Sequence, residues 1–118
     1  MRELHTGAVV FDTHNGKKLV QKSQIAFIKA DNKYSDFYTE LGIFTDLTTL
    51  KELEATWGND WIRVHRNALV RKSAIQSFNS VECKLDVICQ GKLAVLEVSR
   101  RHKSEVRRCL KTLQVTQS

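Results

Sequence analysis

Two short segments of the sequence concentrate positive charge. Arg63, Arg66, Arg71 and Lys72 fall within ten residues that contain no acid. Arg100, Arg101, Lys103, Arg107, Arg108 and Lys111 share their stretch with Glu105 alone. Cationic groups packed this densely attract polyanions, and arginine matches phosphate or a guanine edge through a two-point fork. Between Glu40 and Asp60 the balance reverses, with Glu40, Asp46, Glu52, Glu54 and Asp60 set against Lys51 only. This lopsidedness says more than the total of +6, from 19 Lys plus Arg against 13 Asp plus Glu. It fits a molecule with one face turned to an anionic partner and the other to solvent.

Other chemistries find no support. His5, His14, His65 and His102 match no metal-ligand spacing, and no nucleophile elbow, P-loop or dinucleotide fingerprint occurs. Carboxylates do not cluster as an acid–base pair. The chain therefore reads as a non-enzyme with no cofactor and no metal. Cys83, Cys89 and Cys109 are odd in number and lack a C-x-x-C pair, so they read as small buried hydrophobes rather than a disulfide framework.

Within the first basic segment, alternation places Ile62 and Val64 on one strand face and Arg63 and His65 on the other. The alternation fails after His65, so Arg66-Asn67 should occupy a bend. Arginine and asparagine are the side chains that contact guanine and adenine edges bidentately. For His65 the residues favour a structural role, a pairing with a nearby carbonyl. In the second segment Arg100, Lys103, Arg107 and Lys111 fall opposite Val106, Leu110 and Leu113 at helical spacing. Ser99 is a good N-cap, and Ser99-Arg100-Arg101 at a helix start would combine free N–H groups with cationic side chains in a natural phosphate site.

The elements that must position these groups are mostly strands. The 118 residues make one domain, and a hydrophobic share of 42% excludes both a disordered chain and a membrane span. The apolar runs are too short to cross a bilayer and no signal peptide is visible, so a cytoplasmic protein is expected. Alternation predicts strands at 8–13, 18–21, 25–30, 36–41, 61–64, 68–71, 75–79, 84–89 and 93–98, with a short apolar segment from Phe44. The turn Asn15-Gly16 should be type I′, and Asp31-Asn32-Lys33-Tyr34 and Gln90-Gly91 should close two further hairpins. Thr49-Leu50-Lys51-Glu52 is a capping box that opens a short helix ending at Trp57 before Gly58. A final helix should run over 100–113 with Val106, Cys109, Leu110 and Leu113 as its buried stripe. Residues 114–118 read as a flexible tail. No internal repeat is apparent.

These residues also resemble a known family. Trp61-Ile62-Arg63-Val64-His65-Arg66-Asn67-Ala68-Leu69-Val70 is similar to the central signature of LytTR-type domains, and Val98-Ser99-Arg100-Arg101-His102 to their C-terminal signature. Ile25 to Tyr34 resembles their early strand and turn, and Thr49 to Glu54 their short helix. Within the family the chain looks most like the output domain of AlgR-like response regulators. The resemblance implies a mostly β domain over residues 7–113 with one short internal helix and a C-terminal helix. It implies a sequence-specific transcription regulator that inserts loops into successive major grooves of direct repeats in double-stranded DNA. It further implies a second protomer on the DNA and an N-terminal receiver domain in the full-length protein, with residues 1–6 as a linker remnant. The candidate contacts are Lys33, Tyr34 and Ser35 in the first turn and Arg63, His65, Arg66 and Asn67 in the second. Ser99, Arg100, Arg101 and Lys103 complete the set at the start of the last helix. The alternative is a protein-interaction domain whose basic face meets an acidic partner. An RNA-binding module is weaker still, because Tyr34, Phe37 and Tyr38 form no evident stacking platform.

Overall fold

A computed structural model describes residues 1–113 and the backbone of Thr116–Gln117. Twelve strands and two helices form among these residues: β1 (Arg2–Glu3), β2 (Ala8–Thr13), β3 (Gly16–Gln21), β4 (Ile25–Asp31), β5 (Tyr34–Thr39), β6 (Gly42–Asp46), α1 (Leu50–Trp57), β7 (Trp61–His65), β8 (Ala68–Arg71), β9 (Ile75–Asn79), β10 (Lys84–Cys89), β11 (Lys92–Glu97), α2 (Arg100–Leu113) and β12 (Thr116–Gln117). The expected mostly β fold with two helices is what the chain adopts.

The strands make three sheets rather than one. A five-stranded antiparallel sheet in the order β6-β5-β4-β8-β7 forms the centre. One of its faces meets the three-stranded sheet β1-β2-β3 and α1, with Val9, Phe11, Val20, Ile28, Phe37 and Leu53 among the residues of that core. The other face meets the sheet β11-β10-β9-β12 and α2, where Phe27, Val64, Phe78, Leu85, Val106 and Leu110 pack together. A middle layer covered on both sides loses its apolar–polar alternation, which is why Ala68, Leu69 and Val70 are all buried in β8.

The structure reveals a duplication that the sequence alone conceals. Leu19-Val20-Gln21-Lys22-Ser23-Gln24-Ile25 and Leu69-Val70-Arg71-Lys72-Ser73-Ala74-Ile75 share five of seven residues, and both run strand, single 3-10 turn, strand. Each run follows a hairpin and precedes a three-stranded meander and a helix. The first unit is therefore β2 to α1 and the second β7 to α2. They pair differently: β8 of the second unit joins β4 of the first, whereas β9 takes β12 in parallel.

Several expectations need correction. The β2–β3 turn is closed by Thr13 opposite Gly16, so its centre is His14-Asn15, and Asn15 does not adopt positive φ. The type I′ geometry belongs instead to Gln90-Gly91, with φ 55° and 71°. The fifth strand begins two residues early, at Tyr34, because Asn32 at φ 57° completes a two-residue turn. On α2, Val106 and Leu110 are buried, Cys109 is half-buried and Leu113 is exposed. Cys83, read as a small buried hydrophobe, is half-buried in the β9–β10 turn at φ 56°. Residues 1–6 dock on the body: β1 pairs with β2, and the Met1 amino group meets the Asp46 carboxylate at 2.7 Å. Of the stretch read as a tail, Thr116–Gln117 pairs with β9, and residues 114, 115 and 118 lie outside the described residues.

Candidate nucleic-acid interface

The segments singled out by their charge meet along one edge of the molecule. The Ala30 N–H donates to the Asn67 carbonyl at 2.9 Å, which sets the β4–β5 turn beside the β7–β8 turn. The Ser99 N–H donates to the Val64 carbonyl at 3.0 Å, which sets the start of α2 beside the same hairpin. Burial of Val106 and Leu110 against β7 and the sheet beyond it holds α2 in this pose. Three segments separated by more than thirty residues thus form a continuous row.

The central turn is built by its own side chains. Arg63 donates from Nε to the His65 carbonyl at 3.0 Å and from Nη2 to the Arg66 carbonyl at 2.6 Å. Its Nη1 meets the Glu54 carboxylate of α1 at 3.1 Å. Arg63, expected as a DNA contact, makes three hydrogen bonds within the protein that shape the bend. The His65 Nδ1 accepts the Asn67 N–H at 3.2 Å, so the ring supports the turn through a backbone N–H rather than a carbonyl. With Arg63 and His65 holding the backbone, Arg66 and Asn67 project as exposed side chains.

At the first turn, Lys33 and Tyr34 are exposed, and Tyr34 is 46% accessible. Ser35 is not available: it is buried on the core side of β5 and its Oγ donates to the Thr48 carbonyl at 2.5 Å. At the third position, the Ser99 Oγ lies 2.6 Å from the His102 Nδ1, and the His102 N–H donates to the Ser99 carbonyl at 3.0 Å. Burial, then the charges of Arg101 and Arg63, hold the His102 imidazole below its ordinary pKa, against the opposing pull of Glu105 and Glu54. Arg100 and Arg101 are exposed and Lys103 half-buried. Among the described residues, Arg66, Arg100, Arg101 and Lys103 have no ion-pair partner. Cationic side chains left unpaired on one edge are free to neutralise phosphates.

The structure splits the first basic segment. Arg71 lies at the far end of β8, where its Nε donates to the Ile25 carbonyl at 2.7 Å and its Nη1 to the Ser73 hydroxyl. Burial lowers its pKa, and its role is to join β8 to β4. Lys72 shares that distant region with Lys22, Trp57 and Trp61. Two residues escaped the sequence reading. Lys29, opposite Ala68 across the β4–β8 ladder, lines a cleft of about 260 Å³ with His65 and Asn67. Its signal was weak, a lone polar residue ending an apolar run. Glu54, the acid that anchors Arg63, looked like one more solvated residue on α1.

The family model of the LytTr DNA-binding domain matches residues 15–111. The chain is 32% identical over 103 residues to the positive alginate biosynthesis regulatory protein of Pseudomonas aeruginosa. That match takes in 86% of this chain but only 42% of the relative's length. The fold is also similar to a LytTr DNA-binding domain of Bacillus cereus, with a TM-score of 0.73 and 23% identity, covering 88% of this chain and 96% of that one. The signature residues, their assembly along one edge and the extent of the match lead to one conclusion: this chain belongs to the LytTr DNA-binding domain family.

Proposed function

We propose that the chain reads specific promoter sequences in double-stranded DNA by inserting the row of turns into successive major grooves. In this reading Arg66 and Asn67 contact base edges, and Arg100 reaches a base or phosphate from the start of α2. Lys33, Tyr34, Arg101 and Lys103 contact the backbone, Ser99 and His65 hold their segments in place, and Arg63 positions the central turn. The observation that carries the reading is the pair of backbone hydrogen bonds, Ala30 to Asn67 and Ser99 to Val64, that align the three segments. The long axis of the molecule, 43 Å, exceeds one turn of duplex, about 34–36 Å, so the domain as a whole is large enough to reach neighbouring grooves. Phosphate contacts give attraction without sequence preference, while arginine and asparagine at base edges give the preference.

The regulatory setting follows the same line. The curated relative is a regulatory protein, and this chain accounts for less than half of its length. The domain would serve as the output module of a cytoplasmic response regulator whose N-terminal receiver domain controls it. Two protomers would bind direct repeats on one face of the duplex, because one row offers few base contacts. Selection of bound duplexes from a random pool tests this. The expected product is a repeat spaced by about one helical turn, and adding about half a turn between half-sites should abolish cooperative binding. Equal affinity for every duplex would reject sequence readout and favour the rival, a basic face for an acidic protein.

A further inference from the structure

The row has a fourth member that the charge pattern does not mark. The Val98 N–H donates to the Cys83 carbonyl at 2.8 Å, which fixes the β9–β10 turn against the segment leading into Ser99 and Arg100. That turn carries Val81, which is 87% accessible and so the most exposed large hydrophobic residue in the described chain. Isolated exposed valines are common, and exposure alone would mean little. Here, however, the side chain is held out by a rigid support. The Asn79 Oδ1 accepts both the Val81 and Glu82 N–H groups at 3.0 Å, and the Cys83 thiol donates to the Ser80 carbonyl at 3.7 Å. Cys83 itself takes the left-handed conformation that closes the turn.

Position in the duplicated unit supplies a second, independent observation. The β9–β10 turn occupies in the second unit the place that the β4–β5 turn, with Lys33 and Tyr34, occupies in the first. The Ala30–Asn67 bond sets the β4–β5 turn beside the β7–β8 turn, and the Val98–Cys83 bond sets the β9–β10 turn beside the segment that enters α2. The surroundings of Val81 differ from those of the other members. It shares an open cleft of about 710 Å³ with Glu82, Glu97, Ser99, Arg100 and Lys103. Arg100 and Lys103 make one side of this cleft suitable for phosphate, while the side carrying Glu82 and Glu97 suits base edges, since cytosine can donate to a carboxylate. An apolar side chain at a base edge has one specific partner, the C5-methyl group of thymine.

We propose that Val81 is a specificity-determining residue that packs on a thymine methyl in the major groove next to the base or phosphate contacted by Arg100. The proposal rests on the DNA-binding reading above. It can be tested with the chain and its selected duplex by replacing each thymine in turn with deoxyuridine, which removes only the methyl group. One thymine at the Arg100 end should lose about three- to fivefold in affinity for the wild-type chain, the worth of burying one methyl. The Val81→Ala variant should be insensitive to that replacement while keeping the wild-type response at every other thymine. Because Val81 is solvent-exposed, its removal should leave thermal stability unchanged, and a second variant, Val81→Ser, should behave as Val81→Ala does. Identical losses for wild type and Val81→Ala at all thymines would overturn the role of Val81 and leave DNA binding intact. Failure of the wild-type chain to bind any duplex would overturn the DNA reading and the Val81 contact together.

Discussion

The two duplicated units share one run of seven residues, five of them identical, and put it to different uses. Leu19 and Leu69 occupy the same place in the shared run, yet Leu19 is 52% exposed and Leu69 fully buried. The difference comes from the layer each hairpin joins. β2 and β3 lie in an outer sheet, and in β3 Val20 alone is enclosed. β7 and β8 lie in the middle sheet, where both faces are covered. The tips differ in the same way. The β2–β3 turn is closed locally, by the Thr13 Oγ1 donating to the Gly16 carbonyl at 2.8 Å and accepting the Asn15 N–H at 3.2 Å. The β7–β8 turn is held by Arg63, which reaches Glu54 on a separate helix. The second tip is thus fixed by its neighbours, the first by its own residues.

The largest expected effect tests the burial contrast. Leu69→Ala should cost about 2–5 kcal/mol of stability in denaturant unfolding, because it opens a cavity in the core shared with Val9, Phe11 and Leu53. Leu19→Ala should stay within about 0.5 kcal/mol, as for most surface changes. Equal costs at the two sites would mean that the outer sheet carries more of the fold than its exposure indicates.

Next in size is the contrast between the tips. Asn67→Ala should weaken binding to the selected duplex by about 1–3 kcal/mol and relax preference at one base pair, as expected for loss of a bidentate base contact. Asn15→Ala, at the tip of the first hairpin, should change neither. The charge-conserving Arg66→Lys should also relax one position while leaving the salt dependence intact. Replacing Lys103 by alanine should instead reduce the slope of log affinity against log salt by at most about one unit, for every sequence alike. Lys18→Ala, on the first hairpin, should leave the slope where it was. A slope that responds equally to Lys18 and Lys103 would place both hairpins on the DNA.

A smaller effect should follow from loosening the second tip. Arg63→Lys keeps the charge but loses the fork that holds the His65 and Arg66 carbonyls. Each such bond contributes about 0.5–1.5 kcal/mol. Stability and specific affinity should both fall modestly, with the salt slope unchanged. An altered slope would show that Arg63 touches phosphate after all.

Much of this architecture was legible in the sequence, and the exceptions have physical causes. The bounds of α1 and α2 follow from a capping threonine, Gly58 and helical spacing, and the strands at 8–13, 68–71, 75–79 and 84–89 match their patterns residue for residue. β1 has two charged residues and no pattern to read. β5 misled because two of its inward residues, Ser35 and Thr39, are polar; the Thr39 Oγ1 donates to the Gly42 carbonyl at 2.7 Å. The division into three sheets depends on pairings between distant strands, such as β4 with β8, which local alternation does not encode. At the candidate site, the exposed basic side chains were visible as residue types, but Arg63 and Ser35 turn to backbone carbonyls at 2.6 Å and 2.5 Å, and no residue type announces such a partner.

The smallest expected effect concerns the junction between the second hairpin and α2, for which the first unit offers no equivalent at its own helix. There the N-cap is Thr49, which accepts the Glu52 N–H and does not titrate, whereas Ser99 faces the His102 ring. Because burial and the charges of Arg101 and Arg63 lower the pKa of His102 in the folded chain, the unfolded chain binds more protons in the window below about pH 6.5. Stability therefore rises with pH through that window: the contribution is fully present above the unfolded pKa and is lost as pH falls through the lower folded value. The loss should be small, since a protonated Nδ1 can still donate to the Ser99 Oγ and only the direction of the bond reverses. Binding should move the other way if the proposed interface holds, because a proton on His102 adds a cation beside Arg101 on that edge. Thermal unfolding between pH 7.5 and 5.5 should thus show a decline that His102→Gln reduces, while DNA affinity at low salt rises slightly for the wild type only. A His102→Gln variant with the full wild-type decline in stability would assign the pH response to another group and leave the Ser99–His102 contact as a purely geometric cap.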